Sequence, residues 1–156
     1  MHKENIVIIG IGNQLVGDDG AGPFVIKILR EKKCNVDLVE LSTPGYSILT
    51  YIENKDFVII IDAANFGGKP GEIRRALKQN VKNIKKSSRL NLHESNVLDV
   101  LDYAQNIGFH PEKVIIYCIQ AKTMKMSSTL SSEVKEAAYK VAEMIEKELV
   151  HNGLNK

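Results

Sequence analysis

Apolar residues in this chain fall first into short continuous runs and only later into stripes. The runs at residues 5–10, 36–41, 56–62 and 113–119 are rich in Ile and Val, and several are apolar at consecutive positions. Strands apolar on both faces are what a parallel sheet covered by helices requires. Helical patterns lie between them. Gly22 and Pro23 suit the N-cap and first turn of a helix running to about residue 33, with Val25, Ile26, Ile28 and Leu29 supplying its apolar faces. A shorter helix fits residues 46–53 and a middle one residues 95–107. After Ser131 and Ser132, the side chains Val134, Ala137, Ala138, Val141, Ile145 and Leu149 step at helical spacing, with Gly153 as a stop. Residues 72–77 fit a further strand, but only nine residues separate it from the run ending at Asp62. A parallel crossover needs about a dozen, so this strand is expected to be antiparallel and at an edge. The pattern predicts an α/β fold: a three-layer α/β/α sandwich around a mixed, mostly parallel five-stranded sheet.

Composition narrows this picture. With 156 residues, 44% of them apolar, the chain supports one core and reads as a single domain over residues 1–156. The first apolar run is too short for a signal-peptide core, and no stretch approaches the ~18 apolar residues of a membrane helix. No membrane insertion is expected, and the cytoplasm is the expected location. Cys34 and Cys118 show neither disulfide nor zinc-knuckle spacing and read as ordinary buried thiols. The net charge of +2 hides a run of seven cations, Arg74, Arg75, Lys78, Lys82, Lys85, Lys86 and Arg89, with no acid between them. The run lacks interleaved aromatics and any nucleic-acid motif, so no nucleic-acid partner is expected. It reads as a solvated face, or as a docking surface for an acidic partner.

Candidate chemistry starts at GIGNQLVGDDGAGP, residues 10–23. In a dinucleotide fingerprint a third glycine falls three places after the second, and here that place is Leu15. Glu40, ending the second run, lies roughly where a ribose-binding acid could. The adjacent acids Asp18 and Asp19 oppose a phosphate and favour a cation, because like charges within about 4 Å repel by ~1 kcal/mol in water and by more near a protein surface. Both could instead cap the following helix or favour its dipole. If the first strand lies between the second and third, a crevice opens at their carboxyl ends. Asp19 follows the first of those ends and Asp62 closes the third strand, although Asp62 could equally be a turn residue. His93, in RLNLHESNVLDVL, precedes an amphipathic helix and could be a capping or surface residue. Position 97 is Val, so the two-histidine zinc-peptidase signature is missing. His2, His110 and His151 carry no assigned role.

Taken together, GIGNQLVGDDGAGP, IIIDAANFGGKPGEIR, LNLHESNVLDVLD and VIIYCIQ resemble the nickel-iron hydrogenase maturation endopeptidases, particularly the branch serving the formate-linked, membrane-associated type. The blocks stand in the family's order and cover nearly the whole chain. The resemblance implies a peptidase that removes a C-terminal extension from the hydrogenase large-subunit precursor after nickel insertion. Matched motif by motif, it implies a nickel-contacting set of Asp19, Asp62 and His93, with Asp18 in a supporting role. Asn13 and Gly45 also fall in matched turns, with no catalytic function carried over. Two carboxylates and one imidazole offer no thiolate, so nickel is expected to arrive with the substrate and no permanently bound cofactor is expected. The chain is expected to act as a monomer. The competing readings are a non-catalytic nucleotide- or metal-binding module of flavodoxin-like architecture and an ordinary metal hydrolase with a resident ion.

Overall fold

The computed structural model describes residues 5–80 and 92–153, with side chains in the second span from residue 97. Its five strands are β1 (Ile6–Ile11), β2 (Asp37–Leu41), β3 (Phe57–Ala64), β4 (Ile73–Leu77) and β5 (Lys113–Gln120). They form one sheet in the order β2-β1-β3-β5-β4. The pairs β1–β2, β1–β3 and β3–β5 are parallel, whereas β4 runs antiparallel to β5 at an edge, as its short connection requires. The helices are α1 (Ala21–Glu31), α2 (Ile48–Ile52), α3 (Leu92–Asn106) and α4 (Ser132–His151).

Two apolar cores flank the sheet. Ile6, Ile8, Phe57, Ile59 and Ile61 point to the layer of α1 and α4, and Val7, Ile9, Ile11, Val58 and Ile60 to that of α2 and α3. β1 and the Phe57–Ala64 strand are buried along their entire length, which explains why their sequences are apolar at consecutive positions. The stripe read in the last helix, Val134 to Leu149, is the buried face of α4. The sheet order puts β1 between β2 and β3, so the chain leaves β1 on one face through α1 and reaches β3 by way of α2 on the other. This reversal is the topological switch point at which open α/β sheets form a ligand crevice.

Several details depart from the sequence reading. The helix assigned to residues 95–107 begins earlier, at Leu92. Gly20, not Gly22, is the N-cap of α1, because Asp18 and Asp19 are wound into a short 3-10 turn, Gly17–Gly20, that feeds the helix directly. Cys34 and Cys118 are half-buried rather than buried. Of the basic run, Arg74, Arg75 and Lys78 are described, and each meets an acid: Glu72, Glu148 and Asp102. Arg74 also lies over the Phe66 ring, 4.1 Å from its centroid. Lys82, Lys85, Lys86 and Arg89 lie outside the described residues. Among the described residues, no helix is long and apolar enough to cross a membrane.

Candidate metal site at the carboxyl ends of β1 and β3

The glycines of the turn serve close packing. A Cβ on Gly10 would lie 2.4 Å from the Gly22 carbonyl oxygen, and one on Gly22 would lie 2.5 Å from that of Ile11 and 2.7 Å from that of Ile61. The start of α1 is thereby seated directly on β1 and β3. Gly12, at φ +143, has the Asp19 carbonyl oxygen where a side chain would begin, so any other residue there would push Asp19 away. Glu40 is engaged by the Arg30 guanidinium and by Gln14, whose Nε2 donates to it at 3.1 Å. Neither the glycines nor Glu40 is thus arranged for a dinucleotide.

The two acids of the turn diverge. Asp18 is fully buried, and its carboxylate accepts four hydrogen bonds from the loop that follows β5. Oδ1 takes the Ser131 N–H at 2.7 Å; Oδ2 takes the N–H groups of Lys122 and Thr123 at 2.8 and 3.0 Å and the Ser131 hydroxyl at 2.9 Å. The backbone continues the seam, Asp18 N–H to Thr123 O at 3.0 Å and Gly17 N–H to Ser127 O at 2.9 Å. Asp18 is therefore a clamp with its lone pairs committed to protein donors, which gives the supporting role a definite form. Ser131 is the N-cap residue of α4, and its hydroxyl goes to this clamp rather than to the helix. Replacing Asp18 by Ala should destabilise the fold by about 3–4 kcal/mol, since buried N–H groups would lose a charged acceptor. Urea titration of parent and variant measures this, and a loss under 1 kcal/mol would contradict the clamp.

Asp19 takes a different course. It is 6% exposed, and its Oδ2 accepts the Asn13 N–H at 2.7 Å, while the Asn13 side chain holds the Leu15 N–H at 2.9 Å. No lysine or arginine forms an ion pair with Asp19 among the described residues. Asn13 is thus the residue that orients the acid, a function its place in a turn did not reveal.

Asp62 does not close its strand, which continues to Ala64. It is the last residue of β3 paired with β1, opposite Ile11, while the ladder to β5 runs on through Ala63 and Ala64. The carboxylate is therefore placed where β1 stops, and it is 2% exposed. By alternation it shares the face of Val58 and Ile60, that of α2 and α3. Helix α3 is joined at its C-terminal end to the start of β5, so its first turn, which contains His93, lies toward the same carboxyl end of the sheet. The His93 side chain is outside the described residues. Among the described residues, no group of three His, Cys, Asp or Glu side chains could hold an ion. The 3-10 turn carrying Asp19 packs on β3, so that the two acids occupy adjoining strand ends.

The loop leaving β3 depends on Gln120, which ends the matched block VIIYCIQ but was given no role. Its buried side chain accepts the N–H groups of Phe66 and Gly68 at 2.9 and 3.1 Å and donates to Ala121 O and Asn65 Oδ1 at 2.9 and 3.3 Å. All four capacities of the amide are used, fixing the loop that leaves β3.

A doubly wound sheet with buried carboxylates near its switch point, in place of a phosphate cradle, defines the fold as α/β and sets it apart from a dinucleotide-binding domain. A family model described as HycI, hydrogenase maturation protease, matches residues 25–148, a span that contains Asp62 and His93 but not the acidic turn. The chain belongs to the hydrogenase maturation protease family. It is 34% identical over 152 residues to a Methanocaldococcus jannaschii protein provisionally named a hydrogenase maturation protease, covering 93% of this chain and 96% of the relative. It is 28% identical over 128 residues to the Azotobacter vinelandii hydrogenase expression/formation protein HoxM, covering 80% of this chain and 62% of that one. The chain therefore spans less than two thirds of that relative's length. Among solved structures, the [NiFe] hydrogenase maturation protease HybD from Thermococcus kodakarensis superposes with a TM-score of 0.80 at 27% identity, over 94% of this chain and 98% of that one. The Escherichia coli HybD endopeptidase shares the fold, with a TM-score of 0.81 at 22% identity over 99% and 96% of the two chains.

Proposed function

We propose that this protein is an endopeptidase that removes the C-terminal extension of a nickel-iron hydrogenase large-subunit precursor after nickel insertion, in the formate-linked branch of the family. The observation that carries the reading is the pair of buried carboxylates, Asp19 and Asp62, at the adjoining ends of β1 and β3 in a chain of this family. Two carboxylates brought to one end of the sheet offer hard oxygen donors that suit a divalent cation. Asp19, Asp62 and His93 would complete the coordination of nickel that the precursor brings with it. Carboxylate and imidazole donors suit a borderline ion, and the lack of a thiolate leaves the stronger hold to a cysteine-bearing substrate. Bound nickel supplies a Lewis acid that can polarise the scissile carbonyl or activate a water.

The chain's own residues provide position. Asn13 holds the Asp19 carboxylate by its N–H. Gln120 fixes the loop beside Asp62, and Asp18 locks the turn to the loop after β5. The scissile bond is thereby held at a set place relative to the ion, which is where orientation lowers a barrier most. The protein acts as a monomer in the cytoplasm, where its precursor is assembled.

Purified protein mixed with a nickel-loaded precursor should shorten it by the mass of its tail, read by intact-mass spectrometry. Nucleotides should leave its thermal unfolding unchanged. An uncut precursor together with nucleotide protection would favour the binding-module reading.

A further inference from the structure

Beside the acidic turn, three large apolar side chains face solvent. Leu15 is 61% exposed, Met126 83% and Met124 37%. They belong to segments far apart in sequence that the backbone joins: Ser127 N–H bonds Leu15 O at 3.0 Å, and Val16 forms a parallel bridge with Ser127. The Asp18 clamp lies directly beneath this seam. An exposed apolar group on a braced backbone differs from one on a loose loop, because binding it costs little ordering entropy. Methionine adds a flexible, polarizable surface that adapts to the partner's shape. The platform is also tied to the candidate metal site, since Asn13 holds both the Leu15 N–H and the Asp19 carboxylate.

Charge selects the occupant. Exposed Lys125 stands between the two methionines, and exposed Lys27 lines a neighbouring cleft of about 400 Å³ with Gln14, Gly17 and Ser128. Neither lysine forms an ion pair among the described residues. Asp18 and Asp19 are buried and the cleft's Glu40 is paired with Arg30, so the unpaired charges left beside the platform, Lys27 and Lys125, are cationic.

We infer that Leu15, Met124 and Met126 form the docking platform for an apolar segment of the precursor that flanks the scissile bond and carries an acidic residue opposite Lys125. This rests on the peptidase reading and adds to it the surface that brings the bond to the metal site. Steady-state cleavage of nickel-loaded precursor by Leu15→Glu and Met126→Glu should show KM raised about tenfold or more with kcat retained, because a charge is forced against buried apolar surface. Val150→Glu, an equally exposed apolar position in the last turn of α4, is the control and should keep the parental KM. Thermal melts check that all three fold. Parental KM in both platform variants would overturn the inference.

Failure of the peptidase reading looks different, because the parent itself would then not cut. In that event equilibrium binding of the same precursor decides: capture by the parent that is lost in both Glu variants supports the platform, while capture that persists, or a parent that captures nothing, overturns it.

Discussion

Precursor carrying nickel should be cut by this protein, and the same precursor prepared without nickel should be cut at least about 100-fold more slowly, the scale of loss that follows when a reacting bond is no longer held in place. The argument begins with the donors. Asp19, in the turn beyond β1, and Asp62, where the β1–β3 pairing stops, are buried, and neither they nor an imidazole provides the soft ligand that would retain nickel against cysteine thiolates. On the proposed reading the ion would stay with the substrate, and the protein would recognise it as part of that substrate. Without it the proposed contact with the precursor would lose its central element, and the scissile bond its reference point. Metal-free protein incubated with the two matched precursors, followed by intact mass against time, reads this directly. Equal rates would end the gating proposal while leaving peptidase activity standing.

Asp19→Asn and Asp62→Asn should each lower kcat/KM by about 100-fold or more with melting temperatures close to the parent's. An amide retains the carboxylate's volume, and at position 19 its oxygen can still accept the Asn13 N–H, so local geometry survives. What is lost is charge toward the ion, and in a water-poor recess charge is worth far more than at the surface. The neighbouring Asp18 offers an internal contrast. Its four donors saturate both oxygens, so Asp18→Asn sets an amide N–H against a backbone N–H and should lower stability. Two adjacent aspartates should thus report separately, one in the melting temperature and the other in the rate. Parental cleavage by either Asp19→Asn or Asp62→Asn would remove that residue from the site.

Much of this architecture was legible in the sequence because it depends on local pattern. Continuous Ile and Val runs specify strands buried on both faces, the α4 stripe repeats every three to four residues, and a short connection leaves β4 only an antiparallel edge. The switch point, read on the condition that β1 lies beside both β2 and β3, is there because that condition holds. The motif blocks marked Asp19, Asp62 and His93; the first two are buried near the carboxyl end of the sheet.

Tertiary structure alone decided what each acid does. Asp18 and Asp19 are chemically identical neighbours, and only the arrival of residues 122–131, more than 100 positions away, saturates one of them. Gln120 lay in a matched block without a role, because an amide at a strand end becomes a clamp only when a loop from β3 presents matching N–H groups and oxygens. Asp62 looked like a strand terminus because β1 ends opposite it, while the ladder with β5 carries the strand on to Ala64. Periodicity records which side of an element faces the core, and that is a property of neighbours in sequence. Hydrogen-bond partners and strand ends are set by neighbours in space, so the division of labour within the acidic turn exists only once the chain has folded.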